Sequence, residues 1–450
     1  MKMNSLLAAA ILLAALSGVL YWSNHKKTAA SDVKVSTDTP PTILTLTQAD
    51  IVKVDIKKRG GDDVQLEKNG AGKWEIVTPK AWRADQNEVS SMLSTLSSLS
   101  SERLIDEKAA NLSEYGLAQP SVEVDITEKD NKSQKLLLGD NTPTGNASYV
   151  ALAGDPRVFT LASYNKTSLD KSAKDLRDKR LLAFDQDKLS RVELQAKKQD
   201  IEFGRNKDQW QIVKPTPLRA DDSSVQDLIR KLADAKMDLS VSDDVQKKAA
   251  AAFNSGTVVG IAKVTDASGT EELQVRKNKD DYYAKSTAVD GVYKVGSDVG
   301  FALDKTVDDF RNKKLFDFGF TDPDKIELHD GEKSYFLTKG GSDWWLADGK
   351  KADAMDAETL EEKVRDLAAS KFVDSGFTTP TMELTATSNG GKSIEKVLIS
   401  KSGDRYIAKR DNEPALYELD SSAVTGLQKA AADLKPAVEA KPAAATGKKK

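Results

Sequence analysis

Two arginines, Arg83 and Arg219, stand at the same place in two similar stretches. W-E-I-V-T-P-K-A-W-R-A-D opens at Trp74, and W-Q-I-V-K-P-T-P-L-R-A-D opens at Trp210. Each ends in an aspartate, Asp85 or Asp221, followed by apolar residues at helical spacing. A cation just ahead of a helix start, where free backbone amides attract negative charge, is the chemistry of a recurrent ligand pocket. The structural alternative needs no ligand: the aspartate caps the helix, the tryptophan packs below it and the proline ends a strand. A third, more divergent stretch opens at Trp345 and ends in Met355 and Asp356, with Ala354 in place of the arginine, which weakens the pocket reading. The second candidate is aromatic. Trp344 and Trp345 are adjacent, so on a strand they face opposite sides. With Tyr335 and Phe336 nearby they suggest a partner-facing surface. Arg83, Arg219, Trp344, Trp345 and Tyr335 are therefore the residues expected at a partner or ligand surface.

Other chemistries find little support. The chain has no cysteine, which excludes disulfides, thiol nucleophiles and thiolate metal sites. Its two histidines, His25 and His329, cannot build a multi-histidine metal site, and no metal or cofactor is expected. Gly139 to Gly145 lacks the Gly-Lys-Ser/Thr ending of a phosphate loop. Asp322, Asp324 and Glu327 are too few and wrongly spaced for a calcium loop. No Gly-x-Ser-x-Gly elbow occurs. Nothing singles out a glycosidase-type pair among 70 acidic residues. A formal net charge of -3 gives no case for nucleic acid.

The elements that position the candidates repeat. Asp85, Asp221 and Asp356 are 136 and 135 residues apart, a domain-sized period. Alternating apolar residues mark short antiparallel strands ahead of each aspartate, as in Ile51–Ile56, Val64–Glu67 and Lys73–Val77. Asp85 is expected to cap a helix in a box with Glu88. The stripe Val89, Met92, Leu93, Leu96 and Leu99 then covers the sheet, as do Val225, Leu228, Ile229 and Leu232 in the second copy. The third copy gives Asp356, Leu360, Val364 and Leu367, with Lys363 where the earlier copies have Met92 and Leu228. More strands follow each helix, and the joint Leu169–Leu181 resembles Leu303–Leu315. The expectation is an α+β chain of three tandem homologous units over 45–182, 183–316 and 317–434. Each is mainly antiparallel sheet with one covering and one linking helix.

The ends read differently. Leu6 to Trp22 carries no charge, Tyr21 and Trp22 suit a membrane interface, and lysines flank the segment. Residues 1–27 are read as an uncleaved signal-anchor, with a cleaved signal peptide as the alternative. This puts the body outside the cytoplasm on a single-pass inner-membrane protein, joined by a linker at 28–44. Residues 435–450, rich in Ala, Pro and Lys, read as a disordered tail.

The repeated strand–Trp–helix unit resembles the bacterial domain-of-unknown-function family 4340. The resemblance rests on G-K-W-E-I at 72–76, the helix after Asp85, Leu112, Tyr115, Gly116 and Leu117, the P-S-V-E-V strand after Pro120, and Leu137-Leu138-Gly139-Asp140. It implies membrane-anchored proteins, some associated with transporter-type systems as accessory components, and it supplies no catalytic residues. The functional expectation is a non-enzymatic binding or scaffolding component of a membrane complex, with a protein partner and the lipid bilayer as contacts. The alternatives are a glycan-acting enzyme using carboxylates and a carrier of a small apolar ligand.

Overall fold

A computed structural model describes residues 41–437, apart from 208, 319 and 320. They form two compact bodies, one ending at Asp178 and the other starting at Lys179. The architecture is α+β, with large antiparallel sheets and covering helices.

In the first body the strands are β1 (Thr42–Thr45), β2 (Ile51–Lys58), β3 (Val64–Lys68), β4 (Trp74–Thr78) and β5 (Trp82–Arg83), followed by helix α1 (Gln86–Ser97). Then come β6 (Ser98–Ser100), β7 (Arg103–Asp106), β8 (Val122–Glu128), β9 (Ser133–Asn141), β10 (Ala147–Leu152) and β11 (Val158–Ala162), with short helices α2 (Ser163–Leu169) and α3 (Ala173–Leu176). Nine strands make one sheet in the order β5-β4-β3-β2-β8-β9-β10-β11-β7. Two meanders, one on each side of the helix in sequence, thus join through the β2–β8 pair, where Val54 faces Ile126. One face of the sheet alternates inward, as Val54, Ile56, Leu66 and Ile76 do, and receives the α1 stripe Val89, Met92, Leu93 and Leu96. Fully burying each such side chain contributes about 1.5–3 kcal/mol.

The opposite face is covered locally by residues 107–120. Gly116 adopts φ 68°, and a Cβ there would meet the Asp140 carboxylate at 2.4 Å. At Gly139 a Cβ would meet the Tyr115 carbonyl at 2.2 Å. The Tyr-Gly-Leu and Leu-Gly-Asp pieces of sequence are thus two sides of one close backbone approach, which only glycine permits.

The second body holds two more sheets. Strands β12 (Arg191–Ala196), β13 (Gln199–Asn206), β14 (Gln209–Lys214) and β15 (Leu218–Arg219) precede helix α4 (Asp222–Ala233). Helix α5 (Asp243–Ser255), strands β16 (Thr257–Asp266), β17 (Gly269–Asn278), β18 (Asp281–Ser286) and β19 (Val292–Val295), and helix α6 (Ser297–Leu303) follow. The eight strands run β15-β14-β13-β12-β16-β17-β18-β19. Here α5 covers the outer face through Ala249 and Phe253 against Tyr283, which explains the missing Tyr-Gly-Leu piece.

The third sheet comprises β20 (Pro323–Asp330), β21 (Lys333–Gly340), β22 (Asp343–Leu346), β23 (Lys371–Val373), β24 (Met382–Ser388), β25 (Ser393–Ser402), β26 (Arg405–Arg410) and β27 (Leu416–Leu419), with α7 (Ala354–Arg365) and α8 (Ser421–Ala432). Its order, β22-β21-β20-β24-β25-β26-β27-β23, again joins two meanders at the strands before and after the covering helix.

The membrane expectation is corrected. Among the described residues no helix is long and apolar enough to cross a membrane. The main helices have 12 or 13 residues and give one apolar stripe to a sheet. At about 1.5 Å per residue they are roughly 20 Å long, against a hydrocarbon core of about 30 Å. The apolar segment 1–27, the linker up to residue 40 and residues 438–450 lie outside the described residues. The signal-anchor, the single-pass inner-membrane placement, the periplasmic body, the bilayer contact and the membrane-complex role therefore have no support in this structure. Lys435 and Ala437, at the start of the expected tail, pair with the backbone of Asp353 and Lys351.

Candidate functional site

The arginine–alanine–aspartate segment is built the same way wherever it occurs. Asp85 caps α1 by accepting from Asn87 N (3.0 Å) and Glu88 N (3.2 Å). Asp221 caps α4 by accepting from Ser224 N at 2.8 Å. Glu88 does not complete a capping box. The Asp85 N–H already donates to the Leu176 carbonyl, and the Glu88 carboxylate turns to Lys171 at 3.4 Å. Asp221 N–H likewise donates to the Phe310 carbonyl. The alanine between, Ala84 or Ala220, is buried and bridges to the outgoing chain at Arg177 or Arg311. Its neighbouring arginine is thereby fixed on a strand edge, directly across from Glu75 in β4 or Gln211 in β14.

The stretch ahead of α7 follows this plan in a register different from the sequence expectation. The cap of α7 is Asp353, which accepts from Met355 N (3.1 Å) and Asp356 N (3.4 Å). Asp356 lies inside the first turn and holds Lys435 at 3.1 Å. Trp344, buried like Trp74 and Trp210, is the core tryptophan. Lys351, not Ala354, occupies the arginine position. It bridges to Trp345, Ala352 bridges to Pro436, and Asp353 N–H donates to the Lys435 carbonyl. The shift has a further consequence. Counting from the true cap, Leu360 stands where Met92 and Leu228 stand, and Glu361 takes the core place of Leu93 and Ile229. Lys363 is exposed, and the buried carboxylate of Glu361 is met by Arg365 at 2.8 Å. Sequence reasoning missed both Lys351 and Glu361. The Lys-Ala-Asp run at 351–353 was the available signal.

Arg219 is enclosed by the third sheet. Its Nε donates to Glu413 Oε1 and Oε2 at 3.2 and 3.3 Å, and its Nη2 donates to the Lys314 carbonyl (2.6 Å) and to Tyr417 Oη (3.2 Å). Tyr417 in turn donates to Glu413 Oε1 at 2.8 Å. Glu413 also faces Arg410 Nε at 2.7 Å, and Arg410 donates to the Leu315 carbonyl (2.6 Å) and to Glu395 (3.3 Å). Burial raises the Tyr417 pKa against the opposing pull of Arg219, so the hydroxyl stays protonated and keeps its donor role. Burial works against the Arg219 charge, but Tyr417 and Glu413 outweigh it and raise its pKa. Arg83 lies at the matching edge of the first sheet, 3.8 Å from Asp178.

The aromatic candidates divide by face. Trp344 points inward with Lys339 over its ring at 5.2 Å, and Tyr335 packs partly buried against the same core. Trp345 points outward and is 39% exposed. Its indole lies over Gly340, where a Cβ would meet Nε1 at 2.7 Å. Trp345 sits across from Lys351, as Gln211 sits across from Arg219. The structure therefore joins Trp345 to the cation position and leaves Trp344 and Tyr335 in the core. Beside them an open, polar cleft of about 260 Å³ is lined by Trp344, Lys339, Asp322, Glu361 and Arg365. A smaller cleft of about 150 Å³ lies by Trp210 and Arg219.

Residues 74–211 and 210–387 both match the family described as domain of unknown function (DUF4340). The chain belongs to the DUF4340 family. Each match begins at the tryptophan strand of one sheet and ends within the next sheet, so the DUF4340 match spans the joints. No curated protein and no solved structure matches the chain. Among the described residues, no group of three metal-ligating side chains occurs. Among the described residues of this DUF4340 structure, the clefts at the candidate residues give no support to the glycan-acting carboxylate pair or the apolar-ligand carrier, because both are open and polar and the larger is crossed by the Lys339–Asp322 and Arg365–Glu361 ion pairs.

Proposed function

We propose that this chain recognises another polypeptide through the Lys351–Trp345 edge of its third sheet, and that its three sheets are homologous units in tandem. Tandem homology is supported by the common strand order, the buried tryptophan, the capping aspartate and the cation–Ala–Asp segment paired to the outgoing chain. The units begin with the straps that pair with the segment after each covering helix, such as Leu181 with Ala235 and Leu315 with Leu367.

One observation carries the docking reading. The position that in the second unit grips the third, Arg219 on Glu413 and Tyr417, recurs in the third unit as Lys351 with its side chain 48% exposed. Its cross-strand neighbour changes from Gln211 to a half-exposed tryptophan. An exposed indole is among the side chains most enriched at interface hot spots, and the cation beside it offers a charge that a partner's carboxylate can meet. Lys351 is held by Asp343 at 2.9 Å, but an exposed pair of that kind contributes only about 0–1 kcal/mol and gives way readily to a partner.

The test is a photo-crosslinking residue, p-benzoylphenylalanine, placed at position 345 of the full chain in its native cells, with a control at position 75. A discrete adduct at 345, absent at 75 and lost in Lys351→Glu, is the expected result. No adduct, or one indifferent to Lys351→Glu, overturns the reading.

A further inference from the structure

The joint inside the second body is a template for what the Lys351–Trp345 edge could receive. The surface that receives Arg219 is a hairpin of β26 and β27. A carboxylate, Glu413, precedes a buried tyrosine, Tyr417, by four residues, and Arg410 and Glu395 hold the incoming strap. Strand register identifies the same four positions in the first sheet. Ala408 pairs with Tyr417 and Ile399, and Val150 pairs with Phe159 and Leu138. Phe159 therefore stands for Tyr417, Asp155 for Glu413, Leu152 for Arg410 and Gln134 for Glu395. Every one of these replacements removes receiving chemistry. Phe159 has no hydroxyl, Leu152 and Gln134 carry no charge, and Asp155 is closed by Arg157 through bonds of 3.0, 3.1 and 2.6 Å. Arg157 also lies over the Phe159 ring at 5.2 Å, presenting a cation to any incoming lysine.

Resting on the docking reading above, we propose that the partner of the Lys351–Trp345 edge presents a β-hairpin with a carboxylate four residues ahead of a tyrosine. A second copy of this chain does not serve. Its first unit lacks the receiving residues, its second has Val289 where the carboxylate ahead of the tyrosine would stand, and its third already spends Glu413 and Tyr417 on Arg219. The third sheet thus keeps the gripping half of the joint while the first sheet lacks the receiving half, so copies of this chain do not add head to tail through these two faces.

Two measurements test this. The first titrates the full chain against a fluorescein-labelled, backbone-cyclised peptide of residues 404–420, its hairpin checked by NMR, and reads anisotropy. Binding is expected. It should weaken by about tenfold or more with Lys351→Glu or Trp345→Gln in the chain, or with Glu413→Gln plus Tyr417→Phe in the peptide. Equal binding to wild-type and Lys351→Glu chains overturns the proposal. The second rebuilds the receiving face in the full chain with Q134E, L152R, D155E, R157A and F159Y, and follows sedimentation velocity against concentration. The rebuilt chain should self-associate and the wild type should not, and adding Lys351→Glu should abolish the association. A folded, rebuilt chain that sediments as wild type, together with no binding of the cyclic hairpin, refutes it. If the cellular adduct at position 345 persists while the hairpin fails, docking stands and this partner chemistry falls. If the hairpin binds but no cellular adduct forms, docking falls while the complementarity stands.

Discussion

Glu413 is the hinge of the joint between the second and third sheets, and its removal should cost more than the removal of Arg219. Glu413, 15% exposed, faces two guanidinium groups, Arg219 at 3.2 Å and Arg410 at 2.7 Å. Glu413→Ala strands both. Stripping one partner from a buried ion pair costs about 3–5 kcal/mol. Arg410 keeps Glu395 and the Leu315 carbonyl, which places the expected loss near the lower end, about 3 kcal/mol. Arg219→Ala removes bonds to Glu413, Tyr417 and the Lys314 carbonyl, but leaves Glu413 satisfied by Arg410. The Arg219 side chain is also a quarter exposed, so solvent screening lowers the cost to about 2 kcal/mol. The double variant should fall short of the sum by about 1 kcal/mol, because the two residues share one interaction. Urea unfolding followed by tryptophan fluorescence reads all three, with m-values compared to exclude a change of mechanism. If Arg219→Ala costs as much as Glu413→Ala, or the two effects add, the joint is not organised around Glu413.

Other variants test the remaining assignments. Tyr417→Phe should cost about 1 kcal/mol in the same urea assay, because it deletes one donated and one accepted hydrogen bond. Asp353→Ala should destabilise by about 1 kcal/mol as the true cap of α7, and Asp356→Ala by roughly half that; the reverse order in thermal melts would restore Asp356 as the cap. Glu361→Leu, which restores the residue type of the other two helices, should be neutral or stabilising by about 1 kcal/mol or more in calorimetry. Asp266 is held at about 2 by the Ser268 hydroxyl and by the backbone N–H groups of Asp185 and Ser268. A depressed folded pKa gives stability that is present above the unfolded value near 4 and lost as pH falls toward about 2. Ser268→Ala should therefore flatten the acid limb of stability in that window, and carboxyl NMR should show Asp266 titrating higher.

The chain's own order was legible wherever the deciding forces are local. Strand alternation, the Val89–Leu96 stripe and the caps Asp85 and Asp221 depend on residues within a turn or two, and the structure has each of them. The stretch around Trp344 and Asp353 was not legible because an accidental spacing imitated the pattern. Trp345 lies 11 residues before Asp356, as Trp74 lies before Asp85, but the pair that faces the core and caps the helix is Trp344 and Asp353. A tight turn at Asp348–Gly349 replaces the longer proline exit of the earlier copies and moves the register. That error hid Lys351 in the cation position and placed Lys363 where Leu360 belongs.

By itself the sequence determined the α+β class and, in the first two stretches, the strands and covering helices with their inward faces, since these follow from backbone preference and from apolar side chains seeking one side of a strand or helix; the helix Asp243–Ser255 carried no such signal. Only the tertiary structure decided that the two meanders fuse at β2 and β8, that Arg219 is clasped by Glu413 and Tyr417 almost 200 positions away, and that the Lys351 and Trp345 side chains are exposed side by side. Charges that distant meet only after sheets have paired and units have docked. Nothing in their local sequence distinguishes a cation gripped by a distant sheet from one left at the surface.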